Sequence, residues 1–369
     1  MYRQTEVFVI GGGPAGLAAA IAAARRGFSV TVADGAEPPI DKPCGEGMMP
    51  ETQEALKSLG VELPVGAGWK FRGVRFAHGT DEIAADFPQG QGIGVRRPVL
   101  HGTLIEAAEK CAVKLLWKTA VAGIETGGVR LSSGFAGARW IVGADSSGSR
   151  VRKWAGLEPT VRRTQRMAVR RHYRVSPWSE YMEVHWGPGT QAYVTPIARD
   201  EVCVVTMGDT AEDVRFDSIL PELPGLAQQL DGAELASRER GVVTVMHRLH
   251  RVARGNVALI GDASGGVDAI TGEGLRLAFR QAAVLATAIE AGDLNEYEHA
   301  HRELLRRPSR VGGLLVELGR RKGIRARVIR TMAQRPELFR KMLAIHMGRS
   351  TPAEVLATSA RLGWQFITV

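Results

Sequence analysis

Cysteine is scarce in this sequence and follows no spacing pattern. Cys44, Cys111 and Cys203 are the three cysteines among 369 residues, and they lie far apart. This scatter favours a reduced compartment, and so a cytoplasmic location, over a disulfide framework. Neither a Cys-x-x-Cys pair nor a cluster of cysteine and histidine occurs, so we expect no metal site.

Long apolar runs, repeats and linkers are also lacking. No stretch approaches the roughly 18–20 uninterrupted apolar residues of a membrane span. The first apolar run leads within ten residues into a glycine-rich motif, and no small-residue cleavage site precedes it, so we expect no signal peptide. The length of the chain predicts two domains, or one domain with a large insertion.

Nucleic-acid motifs are absent although the formal net charge is +9, so we expect no nucleic-acid partner. The positive charge is concentrated near the C-terminus, where leucine, isoleucine, valine and methionine are interspersed with basic residues. This pattern predicts basic amphipathic helices with a solvated charged face. Peripheral contact with an anionic membrane, or with an acidic partner, is the alternative. The basic residues are Arg302, Arg306, Arg307, Arg310, Arg320, Arg321, Lys322, Arg325, Arg327, Arg330, Arg335, Arg340 and Lys341.

A glycine-rich loop near the N-terminus carries the first chemical signal. Residues 7–10 are an apolar run typical of a strand buried on both faces, and Gly11, Gly13 and Gly16 follow in Gly-x-Gly-x-x-Gly spacing. Gly11 allows a tight turn, Gly13 lets the backbone approach a pyrophosphate, and Gly16 lets helix and strand pack closely. An alanine-rich helix predicted over residues 17–26 presents its N-terminus to the phosphates.

Asp34 completes a dinucleotide-binding pattern. It ends a second predicted strand at residues 29–34, roughly 20 residues beyond the loop, where a carboxylate accepts hydrogen bonds from a ribose. Within the loop, Pro14 and Ala15 are predicted to contact the same ligand. The two strands, the helix and the terminal acid together predict a nucleotide-binding fold.

Two later segments supply the remaining parts of such a site. Residues 141–152 read IVGADSSGSRVR, and residues 258–274 read ALIGDASGGVDAITGEG. In each, an apolar run leads into glycine and aspartate. In this order and at this spacing, the three segments predict one binding site for FAD.

With these segments the chain resembles the glutathione-reductase-type FAD flavoproteins over roughly residues 1–300. It is similar to the branch that holds the group A aromatic hydroxylases, the geranylgeranyl reductases and the flavin-dependent halogenases. The resemblance implies that Asp145 contacts FAD, that Asp262 binds its ribityl chain, and that Arg97 reaches the cofactor. The second motif usually has Asp-Gly in this family, whereas Ser146 follows Asp145 here.

The resemblance also implies a wall that faces the flavin. The turn at Gly272, Glu273 and Gly274 precedes a helix whose N-terminus is implied to lie near the flavin pyrimidine ring. Residues 42–47, KPCGEG, resemble the Cys-Gly segment beside the flavin in the geranylgeranyl reductases. The further cofactor contacts that the resemblance implies are Cys44, Gly45, Val121 and Gly261.

The predicted fold is α/β, with a Rossmann-like FAD-binding domain, an inserted and mostly antiparallel β-sheet domain for substrate, and C-terminal helices. The FAD-binding domain is predicted to be discontinuous and to comprise residues 1–161 and 256–300. Residues 162–255, with their alternating apolar runs, form the predicted substrate domain. Residues 301–369 are predicted to form a C-terminal helical segment.

Candidate catalytic residues are few. Glu46 and Glu273 are each flanked by glycines and are candidate acid–base groups, although such residues also bond the backbone of their own turns. Cys44 is a candidate for proximity to the flavin. On the predicted antiparallel strands, His185 and Tyr193 are candidates for contact with substrate.

Strand alternation limits which aromatic residues can reach a cavity. His172 and Tyr173 fall on opposite faces of their predicted strand, as do His185 and Trp186. Only one member of each pair can therefore point towards substrate.

Four reaction classes stay open. The leading prediction is an NAD(P)H-dependent FAD monooxygenase that hydroxylates an apolar or aromatic small molecule, because the cofactor supplies the chemistry and no metal or nucleophile triad is needed. The alternatives are an ene reductase of isoprenoid double bonds, a flavin-dependent halogenase with Lys70 as its nominated lysine, and an electron-transfer flavoprotein. The segments at residues 42–47 and 271–274 favour the reductase. We expect a monomer or homodimer without a dedicated nicotinamide domain, since no second Gly-x-Gly-x-x-Gly unit occurs.

Overall fold

The computed structural model describes residues 4–158, 161–351, 353, 354 and 358. Its strands are Thr5–Ile10 (β1), Val30–Ala33 (β2), Gly47–Met48 (β3), Trp69–Phe71 (β4), Gly73–His78 (β5), Asp81–Asp86 (β6), Gly92–Gly94 (β7), Lys114–Leu116 (β8), Val121–Glu125 (β9), Gly128–Leu131 (β10), Gly134–Gly143 (β11), Val161–Arg174 (β12), Tyr181–Trp186 (β13), Gln191–Ala198 (β14), Glu201–Gly208 (β15), Glu234–Leu235 (β16), Arg240–Arg248 (β17), Ala253–Arg254 (β18) and Val257–Leu259 (β19).

The helices connect and cover these strands. They are Pro14–Ala24 (α1), Pro50–Ser58 (α2), Arg97–Lys110 (α3), Arg150–Trp154 (α4), Phe216–Ile219 (α5), Pro224–Gln229 (α6), Gly274–Ala291 (α7), Leu294–Arg320 (α8), Lys322–Gln334 (α9) and Pro336–Met347 (α10).

The first sheet carries the glycine-rich loop. Its strands run in the order β18-β19-β11-β1-β2-β8, and β1 is parallel to both β2 and β11. Val7 and Val9 pack in the core with α1 and α7, whereas Phe8 packs on the opposite face with the β9–β10 strands. Because parallel strands end at the same edge, the segments after β1, β2, β11 and β19 meet there, which is where ligands bind in such sheets. The predicted Rossmann-like α/β fold is confirmed.

A second, mostly antiparallel sheet stands beside the first. Its order is β16-β12-β15-β14-β13-β5-β6, with β17 paired to β12. Strands β5 and β6 belong to it, and β5 runs parallel to β13, so residues 73–86 lie in this sheet and not in the nucleotide-binding one. The sequence division, which starts the substrate domain at residue 162, leaves them out because local alternation does not reveal pairing across more than a hundred residues.

Two segments break where their composition favours one continuous element. Residues 115–121 are largely apolar, but β8 ends at Leu116, β9 begins at Val121, and Lys118 between them has a φ of 53°. Residues 216–235 have a helical composition but form two short helices, α5 and α6. Pro224 lacks a backbone N–H and begins α6, which favours a break between the two helices at this point.

The C-terminal helices cover the second sheet. Val328, Met332 and Phe339 are buried in one core with residues of β5, β6 and β13. The apolar stripe of these helices therefore packs mainly against protein, and Leu314 (73% exposed) and Ile324 (44% exposed) are its exposed members. Within the described residues, none of the helices combines the length and apolar composition that a transmembrane span requires.

Candidate functional site

A cavity of about 750 Å³ lies where the carboxyl edge of the first sheet meets the second sheet. It brings most of the predicted cofactor residues together from segments that are distant in sequence. Among them, those that line the cavity are Gly11, Gly13, Pro14, Ala15, Asp34, Cys44, Gly45, Arg97, Val121, Asp145, Gly261, Asp262, Gly272 and Gly274.

The glycine-rich loop has the geometry that a pyrophosphate cradle needs. Gly11 has a φ of 114°, and a Cβ there would lie 2.4 Å from the carbonyl oxygen of Ala144. A Cβ on Gly16 would lie 1.9 Å from the carbonyl oxygen of Gly11, so Gly16 permits close packing although it does not line the cavity. At Gly13, the N-cap of α1, no atom lies within 4 Å of the Cβ position. The space beside Gly13 is therefore open to a ligand at a helix N-terminus.

Two of the predicted acidic contacts are held by backbone groups. Asp34 accepts hydrogen bonds from the N–H groups of Gly12 (2.7 Å) and Ala36 (2.8 Å). Asp145 accepts them from the N–H groups of Arg150 (2.7 Å) and Val151 (3.1 Å) at the start of α4. Both carboxylates are thereby fixed at the cavity wall.

Lys42 connects the second and third motifs. Its Nζ lies 2.8 Å from Asp262 Oδ2 and 2.9 Å from Ser146 Oγ. Both side chains of the Lys42–Asp262 pair are partly exposed, so this ion pair orients Asp262 more than it stabilises the fold. No pattern in the sequence predicts this role for Lys42.

Arg97 carries an unsatisfied buried donor at the cavity. Its Nε atom is buried without a hydrogen-bond partner among the described residues, and the residue lines the cavity at the start of α3. Leaving such a donor unpaired costs about 1–3 kcal/mol, so a ligand acceptor at this point is favoured. Together with the open space at Gly13, this donor shows that the residues present fit FAD.

Glu46 lies at the centre of a buried polar network beneath the loop of residues 42–47. Its Oε1 accepts hydrogen bonds from the N–H of Arg97 (2.9 Å) and from Arg170 Nη1 (3.0 Å), and its Oε2 lies 2.8 Å from His172 Nε2. Arg170 also makes two bonds of 2.8 Å to Asp41. With a φ of 57°, Glu46 has a backbone conformation that is uncommon outside glycine, and the network holds it there.

The same network brings together possible metal ligands. Side-chain ligand atoms of Glu46, His172 and Cys203 lie within 4.8 Å of one another. Burial, as the largest cause, raises the pKa of the Cys203 thiol well above its usual range, so the thiolate that binds metals is disfavoured. Because the Arg170 guanidinium already pairs with Glu46, an added cation at this point would also be repelled.

The other catalytic candidates divide between the cavity and the protein interior. Tyr193 lines the cavity and donates its hydroxyl to Gln191 Oε1 (3.0 Å), and burial raises its pKa far above the usual value. His185 does not line the cavity and bonds Glu183 (2.9 Å), whereas Trp186 lines it. Glu273 is buried in an ion pair with Arg276, outside the lining.

Two residues of the site, His101 and Arg170, were not predicted from the sequence. Buried His101 accepts a hydrogen bond from Ile40 N (3.2 Å) at Nδ1, so its Nε2 carries the proton that it donates to the Gly12 carbonyl (2.8 Å). His101 is four residues from Arg97, so both lie on one face of α3, and this spacing could have predicted His101 as a neighbour of Arg97. Arg170 and His172 share a strand face, so alternation alone groups them.

Lys70, the lysine nominated for a halogenase, is exposed on β4 and does not line the cavity.

Beyond the cofactor residues, the cavity continues between the second sheet and the C-terminal helices. We call this part the apolar arm. It contains no carboxylate among its described lining residues, and the Phe76 ring lies 5.1 Å from Phe339 and 6.3 Å from Trp186. The arm is lined by Val74, Phe76, Met182, Val184, Trp186, Val205, Met207, Val311, Leu315, Phe339, Met342 and Leu343.

Fold and site together define a FAD-dependent oxidoreductase. The chain belongs to the FAD binding domain family, whose sequence profile matches residues 4–307. This family assignment agrees with the flavoprotein branch that the three motifs resemble.

Individual proteins similar to this chain include two reductases. Menaquinone reductase of Mycobacterium tuberculosis is 27% identical over 317 residues, which cover 79% of this chain and 78% of that protein. Digeranylgeranylglycerophospholipid reductase 1 of Methanothermobacter thermautotrophicus is 28% identical over 336 residues, covering 82% and 83%. Among solved structures, the flavin-dependent brominase Bmp2 superposes with a TM-score of 0.81 at 17% identity, covering 98% of this chain and 99% of that one. That structural likeness concerns the fold alone.

Proposed function

We propose that this protein is a FAD-dependent reductase that saturates carbon–carbon double bonds in the isoprenoid part of an apolar or amphiphilic molecule. The observation that carries this proposal is the apolar arm, which extends the cofactor cavity between the second sheet and helices α8 and α10. An extended chain of prenyl units is the kind of substrate that such a lining favours, because every wall offers apolar or aromatic contact.

The similar proteins support the same class. The two curated relatives described above are both named as reductases, one of menaquinone and one of a digeranylgeranylglycerophospholipid. Each alignment spans about four-fifths of this chain. The hydroxylase that leads the sequence analysis stays a prediction, and the experiment below tests it.

The cofactor contacts are part of this proposal. Gly13 and the N-terminus of α1 would hold the pyrophosphate, Asp34 a ribose, and Asp262 with Lys42 the ribityl chain. Arg97 would use its unpaired Nε, and the α7 N-terminus at Gly274 would face the flavin. When bound, the flavin supplies two-electron redox chemistry.

The protein contributes orientation, exclusion of water and control of protons. Trp186, Phe76 and Phe339 form an aromatic wall against which a double bond can be held. Lys42, Cys44 and Glu46 are the titratable residues of segment 42–47 that line the cavity. Lys42 pairs with Asp262, and we propose the Cys44 thiol as the group next to the reacting atoms. Glu46 acts through its hydrogen bonds to Arg170 and His172 as a positioning residue.

Reductant and partners complete the proposal. We propose NADPH or NADH as the electron source, docking transiently, since the described residues include no second nucleotide-binding sheet. Peripheral contact of the basic C-terminal helices with a membrane stays a prediction, and so does a monomeric or homodimeric state.

The test is anaerobic turnover of the purified, FAD-loaded protein. The flavin absorbance is followed on mixing with NADPH, then NADH, then dithionite, and a prenyl alcohol, whose reducible bonds are its carbon–carbon double bonds, is added to the reduced protein. A reductase reoxidises its flavin on adding the substrate without oxygen, and mass spectrometry finds a product that has gained two hydrogens.

The opposite pattern overturns the proposal. If the reduced flavin is reoxidised only by air, and the product gains one oxygen atom, the protein is a hydroxylase. If only a protein electron carrier reoxidises the flavin and no prenyl compound changes mass, the electron-transfer class is correct.

A further inference from the structure

We propose that a second, polar cavity binds a phosphate or diphosphate group, and that this group is the head of an amphiphilic substrate whose prenyl tail lies in the apolar arm. The cavity has a volume of about 460 Å³ and lies between α2, α7, α8 and the end of α10. This inference rests on the proposed function for the nature of the tail, but the anion site itself is argued from the cavity.

Positive charge exceeds negative charge at the walls of this cavity. The lining includes four arginines and two glutamates. Burial, as the largest cause, raises the pKa of Glu51. The raised pKa favours the neutral carboxyl, which repels an anion less than a carboxylate would. The charged lining residues are Glu51, Glu54, Arg276, Arg280, Arg307 and Arg349.

Two of the four arginines are already paired. Arg349 Nη2 bonds both carboxylate oxygens of Glu54, at 2.7 and 2.9 Å. Arg276 pairs with the buried carboxylate of Glu273. These two guanidinium groups are held in place and serve as the fixed rim of the cavity.

The other two arginines have no partner. Neither Arg280 nor Arg307 makes an ion pair or hydrogen bond with another described residue. Arg307 is half-buried, and desolvation, as the largest cause, lowers its pKa, so its charge is poorly compensated by its surroundings. Two unpaired guanidinium groups facing one cavity match a phosphate or diphosphate, which arginine binds through paired N–H donors.

His346 lies between this cavity and the cofactor cavity. The residue lines both, and its Nε2 lies 3.1 Å from the carbonyl oxygen of Thr271 in the turn before α7. Leu343 and Met342, one turn earlier on α10, line the apolar arm. The polar cavity lies on one side of His346 and the apolar arm on the other. A ligand with a charged head and an apolar tail therefore matches the two sides. This arrangement favours the head of a substrate over a free phosphate ion as the source of the anion.

The experiment measures binding by calorimetry to the oxidised, FAD-loaded protein. The probes are farnesyl diphosphate, the uncharged alcohol farnesol, and inorganic diphosphate. The variant is the double change Arg280→Gln and Arg307→Gln, and the control is Arg306→Gln, because Arg306 is an exposed neighbour on α8 that pairs with Glu303 and does not line the cavity.

We expect the double variant to bind farnesyl diphosphate at least about tenfold more weakly while its affinity for farnesol is unchanged. The control should bind both probes like the unchanged protein. Thermal unfolding should show that the double variant is folded, because neither arginine has a partner to lose. Higher salt should weaken the binding of farnesyl diphosphate but not of farnesol.

Three results overturn the inference. The first is that the double variant binds farnesyl diphosphate as tightly as the unchanged protein does. The second is that the double variant loses as much affinity for farnesol as for farnesyl diphosphate. The third is that inorganic diphosphate binds as tightly as farnesyl diphosphate, which would identify a free anion as the ligand. Failure of the proposed function is distinguishable, since it leaves charge-dependent binding intact while the turnover test finds no reduced prenyl product.

Discussion

Arg170 Nη1 lies 3.0 Å from Glu46 Oε1, and both side chains are at most 1% exposed. This ion pair joins the second sheet to the loop of residues 42–47 at the cavity wall. Asp41 accepts two hydrogen bonds of 2.8 Å from the same guanidinium group, so two carboxylates compensate the arginine charge. The contact is therefore a rigid support for the backbone of residues 44–47.

Glu46→Gln is expected to lower the free energy of unfolding by about 2–3 kcal/mol, because removing one partner leaves a buried charge less compensated. The loss in free energy of unfolding is small for a buried ion pair, because Asp41 still pairs with Arg170 in the variant. Urea unfolding of the FAD-loaded protein measures the change.

A matched control is the partner of the neighbouring arginine on β12, Arg171. Glu239→Gln removes the partner of Arg171, but this pair is partly exposed, so the change should stay within about 0.5 kcal/mol. If both variants lose the same small amount, the Glu46–Arg170 pair does not support the segment as argued.

Gly13→Val is expected to abolish retention of FAD while the protein still folds. No protein atom lies within 4 Å of the Cβ position at Gly13, and its φ of −73° suits any residue, so the valine fills only the space assigned to the pyrophosphate. The ratio of flavin to protein absorbance after purification measures the loss. Gly102→Val is the control, because that glycine also has open space around it but does not line the cavity. A fully flavin-loaded Gly13→Val protein would refute the assignment of the loop.

The glycine-rich loop was predictable because everything it needs is local in sequence. A strand, a turn with three glycines and a helix lie within about 20 residues, and each glycine has its own steric reason. The carboxylates of Asp34 and Asp145 were predictable in position for the same reason. Their bonds to nearby N–H groups are also local.

The supports of the site were not predictable from local pattern. Glu46 and Arg170 are separated by 124 residues, and Lys42 and Asp262 by 220. Such contacts depend on how segments distant in sequence are placed against each other in the fold, and neither periodicity nor spacing encodes that placement. The apolar arm is a similar case, because its walls come from strands and from helices α8 and α10 at the other end of the chain.

Acid should destabilise the protein partly through His301. Burial, as the largest cause, lowers the pKa of His301 to about 4, from an ordinary value of 6.5. The unfolded chain then binds a proton more readily than the folded one, so this contribution to stability is fully present above pH 6.5 and is lost as the pH falls towards 4. His301 donates to Ser264 Oγ (2.9 Å) in the third motif, so its protonation acts beside the cofactor residues.

The free energy of unfolding is expected to fall by about 2 kcal/mol between pH 7.5 and pH 5 from this one group. Urea unfolding at several pH values measures the slope. His301→Gln should flatten the slope in this range, whereas His299→Gln, an exposed change on the same helix, should keep it. An unchanged slope in His301→Gln would mean that other groups cause the acid sensitivity.

Leu315 and Leu314 are adjacent on α8 but differ in what they contact, which allows the apolar arm to be tested. Leu315 lines the arm, whereas Leu314 is 73% exposed. Leu315→Trp should fill the arm and weaken binding of a long prenyl substrate about tenfold or more, since overpacking costs at least about 1.4 kcal/mol. FAD content should stay unchanged, and Leu314→Trp should behave like the unchanged protein. If Leu315→Trp turns over long and short prenyl substrates with unaltered KM, the chain does not bind in this arm and the substrate must reach the flavin from another side.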